Sequence, residues 1–259
     1  MPVAEPVLVV FAGVLGALLG SFLNVCVHRL PREESVIRPG SRCPTCGTAI
    51  AWYDNIPVVS WLVLRGKCRR CAARISPQYP LVEAAIALVW AGSVAWYGVA
   101  FAALSSALLV TLLTGILLTD ARHMIIPDEF SLGGLGAGLA LSLVQGGISP
   151  LGAAAGAAVG YALLWVAGTA GRWWAGRDAM GGGDLKMMAM VGSFLGWQGV
   201  LLTVFLGSLV GTVVFLPALL RRDRFREIPF GIFLAVGAVV TLLAGARLVA
   251  WYRGFVAGP

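Results

Sequence analysis

Long apolar stretches with hardly a charge inside them constrain this chain more than any other feature. They run about 7–27, 81–98, 101–119, 129–146, 150–170, 185–197, 199–219 and 229–250. About 20 apolar residues in succession cross a bilayer as a helix, because a helix satisfies its own backbone hydrogen bonds where no water can. Charged residues make up 12% of the chain, against about a quarter in a soluble domain. Mean hydropathy is +0.87. The 34 glycines suit close packing between membrane helices and would be poor filler in soluble ones. The expected fold is an all-α polytopic membrane protein with about eight transmembrane helices. The sixth stretch is short, and Gly196-Trp197-Gln198-Gly199 is the weakest boundary. A single bent helix over 185–219 would reduce the count to seven.

Basic residues choose the orientation. No basic segment precedes the first stretch, and it is long enough to span, so it reads as a retained helix and not as a cleaved signal. With both termini outside, eight spans place all but Arg247 and Arg253 of the 19 basic residues in the cytoplasm. The net charge of +7 therefore reads as membrane topology and not as nucleic-acid binding. Three regions follow: a first transmembrane helix over 1–27, a cytoplasmic insert over 28–80, and a transmembrane domain over 81–259. The insert is too short for a large core, so it needs a staple.

Four cysteines supply one. Cys43-Pro-Thr-Cys46 and Cys68-Arg-Arg-Cys71 are two C-x-x-C pairs with 21 residues between them. Each pair can grip a metal ion from a tight turn, and together they complete a tetrahedral sulfur shell of the zinc-ribbon kind. Gly47 suits such a turn, and Arg69 and Arg70 are placed to favour the thiolates. Disulfides or redox dithiols are the alternative, disfavoured by a cytoplasmic location. A structural zinc with a closed shell is the expectation. Cys26, inside an apolar stretch, reads as a small buried hydrophobe.

Only 12 acidic residues are present. Asp54 falls in a loop, where solvation explains it. Glu83, Asp120, Asp128, Glu129 and Asp184 lie at span boundaries, where an ionisable group is costly unless it is paired or functional. Asp120 ends the third stretch and Asp184 opens the sixth after Gly181-Gly182-Gly183. The charge-derived topology puts both at the cytoplasmic face, 64 residues apart in sequence. Two neighbouring carboxylates can divide the tasks of base and acid, activating water against a peptide carbonyl and protonating the departing amine. The glycine run would let an extended substrate approach closely. Taken singly, each has a plain structural reading: Asp184 as a helix cap and Asp120 as a snorkelling terminal residue. Asp128, after Pro127, reads as an N-cap, and Glu129 as first-turn helix charge.

These motifs together resemble type IV prepilin peptidases. Asp120-Ala-Arg-His-Met-Ile-Ile-Pro-Asp128 is similar to the family's D-x5-I-P-D signature, and Gly181-Gly-Gly-Asp184-Leu-Lys186 to its G-x-G-D-x-K motif. Gly20-Ser-Phe-Leu-Asn24-Val, Arg29-Leu-Pro31, the cysteine quartet, Tyr79-Pro-Leu-Val-Glu83 and Ile228-Pro-Phe-Gly231 follow the family's order. The matches cover nearly the whole chain. Ile232 departs from the proline common at that place.

The resemblance implies an aspartic endopeptidase with Asp120 and Asp184 as catalytic pair, supported by Gly181, Gly183 and Lys186. It would remove the basic leader of type IV prepilins or secretion pseudopilins, cutting after a glycine at the cytoplasmic face of a bacterial inner membrane. Full-length members with the insert often N-methylate the new terminus with S-adenosylmethionine, and Glu83 matches a position linked to that step. Membrane lipid and the prepilin are the expected partners, with no nucleic acid. Asn24 and Ser21 read first as interhelical hydrogen-bonding residues, and His28 and His123 are assigned to no metal. A transporter would favour carboxylates near mid-membrane and repeated halves. A zinc-bearing scaffold leaves the aspartate motifs unexplained, and a presenilin-like peptidase leaves the Ile-Pro-Asp and cysteine patterns unexplained.

Overall fold

The computed structural model describes residues 5–144, 146–176, 180–220 and 230–257. The arginine cluster from Arg221 to Arg226, with Ile228 and Pro229, lies outside the described residues. Eight helices are α1 (Pro6–Arg29), α2 (Val59–Val63), α3 (Gln78–Tyr97), α4 (Phe101–His123), α5 (Asp128–Ser142), α6 (Pro150–Ala175), α7 (Gly182–Leu220) and α8 (Phe230–Ala257). Among the described residues the only β pairing is two isolated bridges. Among the described residues, six helices are long and apolar enough to cross a membrane: those at 6–32, 78–97, 101–123, 150–174, 182–215 and 230–255.

Local chemistry explains several boundaries. Pro6 and Pro150 occupy first-turn positions, where a missing N–H costs nothing. The Ser149 hydroxyl caps α6 by accepting from the Gly152 N–H at 3.1 Å, and Gly176 ends the helix in the left-handed region. Asp128 is not the N-cap of α5. That place belongs to Pro127, which has no capping side chain, and Asp128 and Glu129 lie in the first turn.

The chain forms two compact units, Met1–Thr111 and Leu112–Pro259. In the first, α1 and α3 pack through glycines. A Cβ on Gly16 would come within 2.7 Å of the Ile86 carbonyl oxygen, and one on Gly20 within 2.8 Å of Glu83 Cα. Close backbone approach of this kind is how membrane helices gain contact area. Asn24 fulfils its interhelical expectation, its side-chain N–H donating to the Tyr79 carbonyl at 3.1 Å. Cys26 is buried. The insert belongs to this same unit.

In the second unit, α7 has 39 residues and is broken at Gly196 (φ 70°, ψ 178°). Unbroken, it would extend about 58 Å, far beyond a hydrocarbon core of about 30 Å. Neighbouring contacts give the course of its two arms. Gly160 meets Met188 and Gly156 meets Gly192, so α6 runs antiparallel to the first arm. Thr203 Oγ1 donates to Thr241 Oγ1 at 3.2 Å, and Gly207 and Gly211 meet Phe233, so α8 runs antiparallel to the second arm. Because α8 begins beside Asp184, the second arm must return toward the end where the first began. The chain therefore reverses at Gly196, and the two arms correspond to the separate stretches expected at 185–197 and 199–219. At 15 residues, α5 is about 22 Å long and is not among the six long apolar helices.

Candidate active site and cysteine cluster

Two helix ends bring the carboxylates together. Asp120 sits three residues before the end of α4, and Asp184 in the first turn of α7; both are buried, at 6% and 9% exposure. The start of α8 packs against them. A Cβ built on Gly231 would lie 2.7 Å from Asp120 Oδ2 and 3.2 Å from Asp184 Oδ1, which bounds the separation of the two oxygens by the sum of those distances. The Ile232 N–H faces the Asp120 carboxylate, and the Gly181 N–H faces that of Asp184. Oδ2 of Asp120 is buried and has no hydrogen-bond partner among the described residues. An acceptor left bare at such depth is expensive unless a reaction needs it.

The support residues divide by task. Gly181 lies against the Asp184 carboxylate, with its built Cβ 3.4 Å from Oδ2. Gly183 makes room for Ile126, whose Cβ would be 2.9 Å from any side chain there. The residues 124–127 between α4 and α5 can therefore close over the start of α7. Gly182 faces open space. Lys186 Nζ donates to both oxygens of Asp128, at 2.7 and 2.9 Å, joining the first turns of α5 and α7. Sequence reasoning had this lysine beside the site and missed its partner, since an aspartate after a proline gives an equally good capping pattern.

The cysteines form a second site, in the first unit. Each C-x-x-C sits at the tip of a small hairpin, one closed by the Arg42–Ala49 bridge and the other by Lys67–Arg74. In both, the first cysteine's N–H donates five residues ahead, Cys43 to Thr48 and Cys68 to Ala73, at 2.9 Å. The residue after the second cysteine adopts positive φ, 68° at Gly47 and 55° at Ala72. The glycine expected at the first turn is thus matched by an alanine in the same conformation at the second. All five cysteines are free thiols, and the four sulfurs of the quartet lie within 4.8 Å of one another. A tetrahedral four-sulfur shell with bonds of about 2.3 Å requires sulfurs about 3.8 Å apart. Cys43 Sγ and Cys71 Sγ are separated by 3.8 Å, so the cluster fits a metal ion.

The charges around this cluster differ from expectation. Arg69 is turned onto Asp54, with a forked contact at 2.6–3.1 Å, and stacks near the Tyr53 ring. Its guanidinium holds the Asp54 carboxyl below the usual range, so Asp54 is an ion-pair partner and not merely a solvated loop residue. Thiolate support comes instead from Thr48, whose hydroxyl lies 3.4 Å from Cys46 Sγ and whose backbone N–H also faces that sulfur, together lowering the thiol to about 6.

Between the insert and helices α1 and α3 lies a cavity of about 650 Å³, lined by Ser21, Asn24, Arg42, Tyr53, Arg70 and Glu83 among others. Glu83 is 8% exposed, and its Oε2 accepts from the Val58 N–H at 2.7 Å. Val58 holds φ 61°, a strained place for a β-branched residue.

Known proteins agree in both units. Residues 14–97 match the family described as Bacterial Peptidase A24 N-terminal domain, and residues 107–216 match the Type IV leader peptidase family. A Stutzerimonas stutzeri protein named prepilin leader peptidase/N-methyltransferase is 39% identical, covering 95% of this chain and 94% of its own length. One of that name from Pseudomonas aeruginosa is 38% identical, with 93% and 92% covered. Another from Myxococcus xanthus is 39% identical over 85% of this chain, which spans 65% of that protein's length. No solved structure gives a significant match. With such identity along nearly the full length of two relatives, the chain belongs to the type IV leader peptidase family.

Proposed function

We propose that this protein is a membrane aspartic endopeptidase that removes the basic leader from type IV prepilins or pseudopilins at the cytoplasmic face. The observation that carries this reading is the convergence of two buried carboxylates, from distant helices, on the single point beside Gly231. One carboxylate takes a proton from water as the water oxygen attacks the scissile carbonyl carbon. The other, protonated, hydrogen-bonds the carbonyl oxygen as charge develops on it. Proton return to the amide nitrogen then lets the C–N bond break, leaving a carboxylate on the leader and a free amine on the mature pilin. Gly181 and Gly183 set the start of α7, and Lys186 anchors α5 to it through Asp128.

The four cysteines would hold a zinc ion that staples the insert. Their complete shell leaves no coordination position for substrate, so the ion's role is structural. The cavity at Glu83 is the proposed place for S-adenosylmethionine, which supplies an electrophilic methyl group to the new terminal amine. There Glu83, which holds the Val58 turn by accepting from its N–H, would offer a carboxylate to the amine, and Arg42 and Arg70 would offer charge to a carboxylate of the cofactor.

A prepilin reconstituted with the protein in liposomes tests the reading by mass spectrometry. Cleavage after the leader glycine is expected, with a methyl group on the new terminus only when S-adenosylmethionine is supplied. An intact prepilin under all conditions would overturn it.

A further inference from the structure

Gly231 is placed unlike the glycines through which α8 and the second arm of α7 pack backbone to backbone. On Gly237 a Cβ would strike the Thr203 carbonyl oxygen at 2.6 Å, and on Gly207 of the facing arm the Phe233 carbonyl at 2.9 Å. Those contacts are with backbone, and they explain the glycines as helix packing. The neighbours of Gly231 are Asp120 Oδ2 at 2.7 Å, Ile126 Cδ1 at 3.1 Å and Asp184 Oδ1 at 3.2 Å. The nearest is also the buried oxygen that has no hydrogen-bond partner among the described residues. A methyl group here would press on both carboxylates. Asp120 has a short side chain and could yield only by turning its carboxylate away from the Ile232 N–H it now faces.

We infer that Gly231 is a positioning residue for the peptidase reaction, its missing side chain keeping open the gap in which water and scissile carbonyl reach Asp120 and Asp184 together. The inference rests on the reading of those aspartates as the catalytic pair. It assigns a task to the last family-like motif, Ile228-Pro-Phe-Gly231, which the aspartate chemistry alone does not use.

The test compares Gly231→Ala with Gly237→Ala and Gly133→Ala in a liposome cleavage assay, with melting temperatures measured on the same preparations. Gly133 has nothing within 4 Å of its built Cβ, so that variant should match wild type. Gly237→Ala should melt lower while each folded molecule cleaves normally. Gly231→Ala should lose kcat by on the order of 100-fold, the scale of a small misplacement at a reacting centre, with KM for the prepilin little changed. Because the methyl would also crowd Ile126, the double variant Ile126→Val/Gly231→Ala removes Cδ1 and relieves that contact alone. Continued loss of kcat in a well-folded double variant is expected. Recovery of cleavage there, or wild-type kcat in Gly231→Ala, would overturn the inference. Asp120→Asn and Asp184→Asn run alongside separate the two claims. Cleavage surviving in them overturns the dyad and this inference together, whereas inert aspartate variants beside a fully active Gly231→Ala overturn this one alone.

Discussion

Replacing Glu83 probes how the insert is tied to the membrane helices. Its Oε2 accepts from the Val58 N–H at 2.7 Å in a setting where Glu83 is 8% exposed. A hydrogen bond to a charged group is worth about 1.5–3 kcal/mol, and a buried donor left bare costs a similar amount. Val58 is held at φ 61°, so losing the acceptor also releases a strained turn. Glu83→Ala should therefore destabilise the first unit by about 1.5–3 kcal/mol. At about 2–4 °C per kcal/mol for a protein of this size, melting in detergent falls by roughly 3–12 °C. Glu83→Gln keeps an amide oxygen within reach of Val58 and should recover about half of the loss, since a neutral hydrogen bond is worth about 0.5–1.5 kcal/mol. Methylation should stay low in both variants, because neither offers a carboxylate to the terminal amine, while peptide cleavage continues. A Glu83→Ala protein melting within a degree of wild type would refute the hydrogen-bond argument. Wild-type methylation by Glu83→Gln would refute the chemical role.

Two further outcomes follow from geometry. Elemental analysis of the purified protein should find one zinc per chain, and any of Cys43→Ser, Cys46→Ser, Cys68→Ser or Cys71→Ser should lose it; full zinc in a single variant would break the four-sulfur assignment. The Lys186–Asp128 pair is 38% and 54% exposed, so Lys186→Ala should cost no more than about 1 kcal/mol of stability. Lys186→Ala and Asp128→Ala should slow cleavage by the same factor, and the double variant should be no worse than either single; additive losses would show that the two residues act separately.

Reading the residues alone went far here because membrane chemistry leaves few choices. Scarce charges marked the spans, and two aspartates at span ends stood out because an unpaired carboxylate there is costly. The cysteine spacing carried its own geometry, and the structure draws the four sulfurs together as that spacing implies. What stayed hidden depends on contacts between distant segments. A proline-aspartate pair looks the same whether the aspartate caps a helix or reaches Lys186. Arg69 beside a cysteine gives no sign of its partner Asp54 across the insert. The weak boundary at Gly196 was visible as glycine, but only its positive φ and the antiparallel contacts of the two arms show that the chain turns back. Gly231 belonged to a recognisable motif, yet nothing in the order of residues says that its absent side chain faces two carboxylates. Alanine at positive φ in the second cysteine turn was likewise illegible, since only Gly47 carries the usual signature.

Cleavage of a prepilin-type peptide by wild type, Asp120→Asn and Asp184→Asn in liposomes tests the central claim most directly. Wild type should cut after the leader glycine. Each single variant should be inert while retaining its zinc and its melting temperature, because one carboxylate cannot serve as both base and acid. Cleavage by both variants at rates near wild type would show that these two buried carboxylates are structural, and the mechanism built on them would be wrong.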